Sequence, residues 1–272
     1  MTRVGFIGLG SQGAPMARRI IEEGHPTTLW ARRPSSVEPF AGTSAKIAAS
    51  PAELAAASDL VCVCVVADDD VEQVLTGDDG VLSGLREGAV IAVHSTIAPA
   101  TCERLAERAA ASGIRLVDAP VSGGGPAAAE RRLLVMAGGD DDAVEFCRPV
   151  FAAFADPVVH LGPLGSGLLA KLLNNVLFTA NLGVAAETLA LGRSLDLDPR
   201  RLAEVLGHGS AASFALGRIA GSGGDLEGFG SRAGALLRKD VAIMDGLLPG
   251  AGSAAPVMAA ADAALELMLH PR

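Results

Sequence analysis

The chain has 272 residues, half of them hydrophobic and 19% charged, with a formal net charge of −9. That length suits one large or two medium domains with a substantial core, and the acidic balance supplies no general basic face, which argues against a nucleic-acid partner. The cysteines, Cys62, Cys64, Cys102 and Cys147, lack Cys-x-x-Cys spacing and read as structural thiols, and the scattered His25, His94, His160, His208 and His270 give no metal-ligand spacing.

No charged-then-apolar leader opens the chain, and apolar runs such as Leu60 to Ala67 are too short to cross a bilayer, so the expectation is a cytoplasmic protein with no membrane partner. The first predicted strand, Val4 to Ile7, leads into Gly8-Leu9-Gly10-Ser11-Gln12-Gly13 and then an amphipathic helix. Strand, Gly-x-Gly-x-x-Gly turn and helix in that order form a dinucleotide-binding context. The first glycine allows the tight turn, the second lets the backbone approach a pyrophosphate, and the third permits close helix packing, with the helix amino terminus facing the anion.

The second strand, Thr27 to Trp30, ends where an acid selecting NAD by its ribose would stand, and the chain instead has Ala31-Arg32-Arg33-Pro34-Ser35-Ser36. Arg32 and Arg33 offer planar forks for a 2′-phosphate and Ser35 adds a hydroxyl, which favours NADP over NAD; an ordinary solvated loop is the competing reading. Further strands are predicted at Leu60 to Val66, Val90 to Val93, Arg115 to Asp118, Leu133 to Ala137 and Val158 to Leu161, alternating with Ala-rich helical stretches. This alternation predicts an α/β, Rossmann-type domain with one parallel sheet and crossover helices. After Val90 to Val93, Thr96 lies at the edge where such sheets bind ligands; it either meets the nicotinamide end of a cofactor or caps a helix. The turn Ser122-Gly123-Gly124-Gly125-Pro126 is rich in backbone donors and would cradle a small carboxylate-bearing substrate, or is a plain Gly/Pro loop.

After Gly162-Pro163 the strand pattern stops. We place a nucleotide-binding domain at 1–163 and an all-helical domain at 164–272, with a long helix from about Gly167 to Leu195 as its spine. Near the start of that helix, in apolar surroundings, stands Lys171, one of only three lysines with Lys46 and Lys239. A half-buried lysine has a readily shifted pKa, making Lys171 the candidate general acid/base; a lysine snorkelling to water is the competing reading. Asn174 and Asn175 follow three and four residues later, on the same side of a helix, and would extend a polar pocket wall. Apolar Ala/Leu/Gly faces on so small a helical domain would be exposed in a monomer, so a homodimer or homotetramer is expected.

Together, Gly8 to Gly13, Asp118-Ala-Pro-Val-Ser122-Gly123-Gly124, Gly165-x-Gly-x-x-x-Lys171-x-x-Asn174-Asn175 and Lys239-Asp240 resemble the motifs of the β-hydroxyacid dehydrogenase family, in order and spacing over nearly the whole chain. Its members include 3-hydroxyisobutyrate dehydrogenases and semialdehyde reductases. The resemblance implies that Ser122, Gly123 and Gly124 hold a substrate carboxylate. It also implies that Lys171 is the general acid/base, that Asn175 orients substrate or lysine, and that Thr96 and Lys239 touch the cofactor. The reaction would interconvert a 3-hydroxy acid and its semialdehyde. The chain departs from the family pattern at Gln12, in the segment Pro126 to Arg132 where further glycines are usual, and in a tail that stops soon after Leu265 to Leu269. Two alternatives stay open. An NADPH-dependent imine reductase typically lacks the lysine, and a non-catalytic NADP(H)-binding scaffold would not need Lys171, Asn175 and Ser122 together.

Overall fold

The computed structural model describes residues 1–248 and 255–270. The chain divides into two compact units, Met1–Lys171 and Leu172–Arg272. In the first, six strands form one parallel sheet: β1 Val4–Ile7, β2 Thr27–Trp30, β3 Lys46–Ile47, β4 Leu60–Val63, β5 Val90–Val93 and β6 Arg115–Asp118, in the order β3-β2-β1-β4-β5-β6. The central strands are near-continuous runs of apolar residues because both faces are covered. Val4, Phe6, Leu60 and Cys62 pack into one core, while Ile7, Val61, Val63 and Ile91 pack into the other. The chain reverses direction of growth between β1 and β4, and at such a switch point the carboxyl ends of neighbouring strands leave a crevice.

Alongside that parallel sheet, the strands expected at Leu133 to Ala137 and Val158 to Leu161 form a second sheet: β7 Val121–Ser122, β8 Leu133–Ala137 and β9 Ala155–His160, with β7 antiparallel to β8 and β8 parallel to β9. An isolated bridge between Asp118 and Gly138 joins the two sheets. The β4 strand ends at Val63 rather than Val66, since the Val65 N–H donates to Ser95 Oγ (2.9 Å) instead of to a neighbouring strand. The β9 strand starts before the expected Val158 and includes Pro157, which an edge strand tolerates because it need not donate there. The segment expected to be only a flexible turn after Ser122 becomes a short helix, Gly124–Ala129.

In the second unit all described elements are helical, among them Pro199–His208, Ala235–Leu247 and Pro256–Leu269. The helix Ser166–Ser194 begins in the first unit and supplies Leu172, Val176 and Ala180 to the second unit's core. Gly183 brings it close to Pro256–Leu269, where a Cβ would lie 2.5 Å from that of Ala264. By length and composition this helix is apolar enough to cross a membrane, contrary to the sequence expectation, and 44% of its most apolar window is buried inside the protein. Leu168, Leu172, Val176 and Leu189 are buried, while Leu169, Leu173 and Leu177 are exposed.

Asp118, at the end of β6, is fully buried, and its carboxylate accepts from the backbone N–H groups of Gly165 (2.7 Å) and Leu168 (2.8 Å). Burial raises its pKa, and these donors oppose that rise. The bonds tie the sheet to the first turn of Ser166–Ser194, whose orphan N–H groups need acceptors. Asp118→Ala would leave them without one, and urea unfolding is expected to show a loss of about 3 kcal/mol, with Asp118→Asn losing less; a loss below about 1 kcal/mol in the alanine variant would refute this anchoring role.

His94 is buried against Phe6, Phe151 and Phe154, with Nδ1 2.7 Å from the Ala119 carbonyl oxygen and Nε2 without a hydrogen-bond partner. Burial lowers its pKa from 6.5 to about 4, so the unfolded chain binds the extra proton first as pH falls. Its contribution is present above pH 6.5 and disappears between 6.5 and about 4, an effect of about 3 kcal/mol. Comparing unfolding free energies at pH 7 and pH 4 should therefore give a smaller acid-induced loss for His94→Phe than for the parent chain; equal losses would exclude His94 as the source.

Candidate functional site

The glycine turn after β1 is shaped by backbone contact. Gly8 has φ +97°, and a Cβ there would lie 2.1 Å from the Cys64 carbonyl oxygen; one on Gly13 would lie 2.0 Å from that of Gly8. A Cβ on Gly10 would meet nothing within 4 Å, so the backbone there faces open space. The following helix, Gly13–Glu22, has no side-chain cap on its first turn. Backbone accessible at Gly10 beside an uncapped helix amino terminus fits the pyrophosphate of a dinucleotide.

Beside that turn lies a cavity of about 440 Å³, a size ordinary for a small-molecule site. Gly8, Leu9 and Gly10 form part of its wall, Arg32, Arg33 and Ser36 another, and Asp70 a third. Ser36 lines it, while Ser35, Ser11, Gln12 and Gly13 lie outside the lining. Gln12 Nε2 instead approaches Met16 Sδ at 4.0 Å. Cys64 also borders the cavity, although the sequence had read it only as a structural thiol; desolvation pushes that thiol up to about 12.

Thr96 is half-buried beyond the carboxyl end of β5. The next helix, Pro99–Ala110, takes Ala98 as its amino-terminal cap position. The turn after β7 holds Gly123 at φ +131° and Gly124 at φ +79°, conformations that favour glycine, with Ser122 half-buried beside them. A Cβ on Gly125 would lie 2.5 Å from the Ser11 carbonyl oxygen, so the candidate carboxylate turn packs directly against the dinucleotide turn. Lys171 is half-buried on Ser166–Ser194, the helix anchored by Asp118.

In the second unit, Asn174, Asn175 and Lys239 join one network through a residue the sequence reading did not place in the site. Asn174 Nδ2 donates to Asn175 Oδ1 (3.0 Å), Asn175 Nδ2 donates to Asp240 Oδ2 (2.5 Å), and Lys239 Nζ lies 2.7 Å from Asp240 Oδ1. Asn175 and Asp240 are both buried. The only sequence signal for Asp240 is its place after Lys239, because its bond to Asn175 joins positions far apart in the chain.

Comparison with known proteins agrees with this construction. Residues 3–162 match the family described as the NAD binding domain of 6-phosphogluconate dehydrogenase, and residues 165–271 match NAD-binding of NADP-dependent 3-hydroxyisobutyrate dehydrogenase. The chain is 34% identical to a 3-hydroxyisobutyrate dehydrogenase of Pseudomonas aeruginosa over 79% of this chain and 72% of that protein. A solved 3-hydroxyisobutyrate dehydrogenase of Mycobacterium tuberculosis with L-serine is similar at TM-score 0.84 and 27% identity, covering 96% of this chain and 92% of that one. Psf3, solved in complex with NADP+ and 2-OPP, gives TM-score 0.85 and 27% identity, with 95% and 91% covered. Matched along both units in sequence and fold, the chain belongs to the β-hydroxyacid dehydrogenase family, NAD(P)-dependent oxidoreductases that act on CH–OH groups.

Proposed function

We propose that the protein interconverts a small 3-hydroxy acid and its semialdehyde, with NADP(H) preferred over NAD(H) and Lys171 as general acid/base. The observation that carries this reading is the path of the chain around Asp118. Its carboxylate anchors the helix bearing Lys171, and the residues following it run straight into Ser122, Gly123 and Gly124. An acid/base group and a carboxylate cradle thus share one rigid support, as catalysis by positioning requires.

In this reading Ser122 and the N–H groups of Gly123 and Gly124 bind the substrate carboxylate, and that anchor fixes how far the reacting carbon stands from it. Lys171 Nζ takes the hydroxyl proton during oxidation and returns it during reduction, and its charge stabilises the developing alkoxide. Asn175, bonded to Asp240 and Asn174, is assigned the orienting of substrate or lysine. The glycine turn Gly8–Gly13 receives the pyrophosphate, Arg32, Arg33 and Ser36 face the 2′-phosphate, and Thr96 and Lys239 serve the nicotinamide side. The nicotinamide, when bound, accepts or supplies the hydride exchanged with the carbinol carbon. The preference for NADP(H) is supported by two arginines in the cavity wall and the lack of an acid at the end of β2. Association as a homodimer or homotetramer is supported by the exposed Leu173, Leu177, Val184 and Leu191 along the helix Ser166–Ser194.

Initial rates with NADPH and NADH against glyoxylate, short semialdehydes and cyclic imines, and in reverse with 3-hydroxyisobutyrate and serine, test the assignment. Reduction of a carboxylated aldehyde is expected, and preference for an imine would overturn it. For Lys171→Ala, kcat should fall by about 10²–10⁴-fold, while quenching of the single tryptophan, Trp30, at the cavity still reports nucleotide binding. Unchanged turnover in that variant would sink the acid/base role.

A further inference from the structure

We propose that Asp70 is a selectivity-determining residue of the cofactor cavity, holding Arg32 in an ion pair and thereby weakening the hold on a 2′-phosphate. The inference rests on the reading above that this cavity receives the adenosine half of the dinucleotide. Arg32 Nη1 lies 3.2 Å from Asp70 Oδ1, and both residues line the cavity. The two partners are unequally free. The Arg32 side chain is 74% exposed, whereas that of Asp70 is 27% exposed and stands on the helix Asp68–Thr76. The start of that helix is itself fixed, since Asp68 Oδ1 accepts the Ala98 N–H at 2.9 Å. Asp70 is therefore the anchored partner and Arg32 the one that is recruited.

Asp78 and Asp79 also line the cavity, alongside Arg32, Arg33 and Asp70. A nucleotide with a bare 2′-hydroxyl leaves the Arg32–Asp70 pair intact. One with a 2′-phosphate must draw Arg32 away from Asp70 or bind beside an unrelieved carboxylate, and either course weakens it. Asp70 pairs with Arg32, so Arg33 and Ser36 in the same wall would carry the residual phosphate affinity. Neutralising Asp70 releases Arg32 and removes one repulsive charge in a single step.

The experiment measures binding rather than turnover. The full-length protein and its Asp70→Asn, Arg32→Ala and doubly substituted forms are titrated with 2′-phosphoadenosine 5′-phosphate and with 5′-AMP at fixed ionic strength. Calorimetry gives the affinity, with Trp30 fluorescence as a second reading from a side chain in the cavity wall. These probes differ only in the 2′-phosphate. Asp70→Asn should increase the preference for the phosphorylated probe by roughly fivefold, the order for one partly exposed charge contact. In the Arg32→Ala background the same change should gain less than about twofold, because the recruited partner is gone. An unchanged or reduced preference in Asp70→Asn would overturn the proposal, as would an equal gain without Arg32. If neither probe bound the parent protein, the cavity's assignment to adenosine would fail as well, and activity with either dinucleotide would then place that half elsewhere.

Discussion

The buried carboxylate of Asp118 is the interaction on which the candidate chemistry depends. A carboxylate removed from water is costly unless donors replace the solvent, and here the replacement comes from the N–H groups of Gly165 and Leu168. Those groups need an acceptor for their own reason, because a helix begins there and has no carbonyls behind it. Each side solves the other's problem. The strand end and the helix start are locked together, and Lys171 stands a turn or so further on along the helix they anchor.

This lock dictates small residues around it. A Cβ on Gly138 would lie 2.5 Å from Asp118 Oδ1, and one on Gly167 would lie 2.2 Å from the Met136 carbonyl oxygen. The same logic governs the nucleotide side, where Gly8 and Gly13 are pressed against carbonyl oxygens and Gly125 against that of Ser11. The glycines that look like two separate motifs are thus parts of one backbone surface, in which the turn after β1 and the turn after β7 touch. Gly10 is the exception that shows the difference, since its missing side chain relieves no contact within the protein and leaves room for a ligand.

Much of this was legible in the sequence because it depends on local pattern. Apolar runs between turn residues locate β1, β2, β5 and β6, and glycine spacing between a strand and a helix marks the nucleotide turn. What escaped is long-range or marginal. The two-residue strands β3 and β7 carry too little pattern to be seen, and Pro157 hides the first residues of an edge strand whose later part, from Val158, was expected. That Ser36 lines the cavity and Ser35 does not follows from the short 3-10 turn at Pro34–Ser36, which no periodicity reports. Asp118 could be read as part of a substrate motif, but its bond partners lie in another motif and appear only after folding.

Asp240 also bears on what Asn175 can do. An ionised carboxylate only accepts, so the bond at 2.5 Å requires the amide nitrogen of Asn175 to face Asp240 and fixes which way the amide points. Its oxygen then accepts from Asn174, leaving one N–H and one lone pair uncommitted. A side chain so constrained offers a donor and an acceptor in set directions instead of rotating to suit whatever arrives. Lys239, 2.7 Å from the other oxygen of Asp240, offsets the charge that does this orienting. Asp240 therefore links the lysine to the amide, and the bond it accepts sets the direction of Asn175.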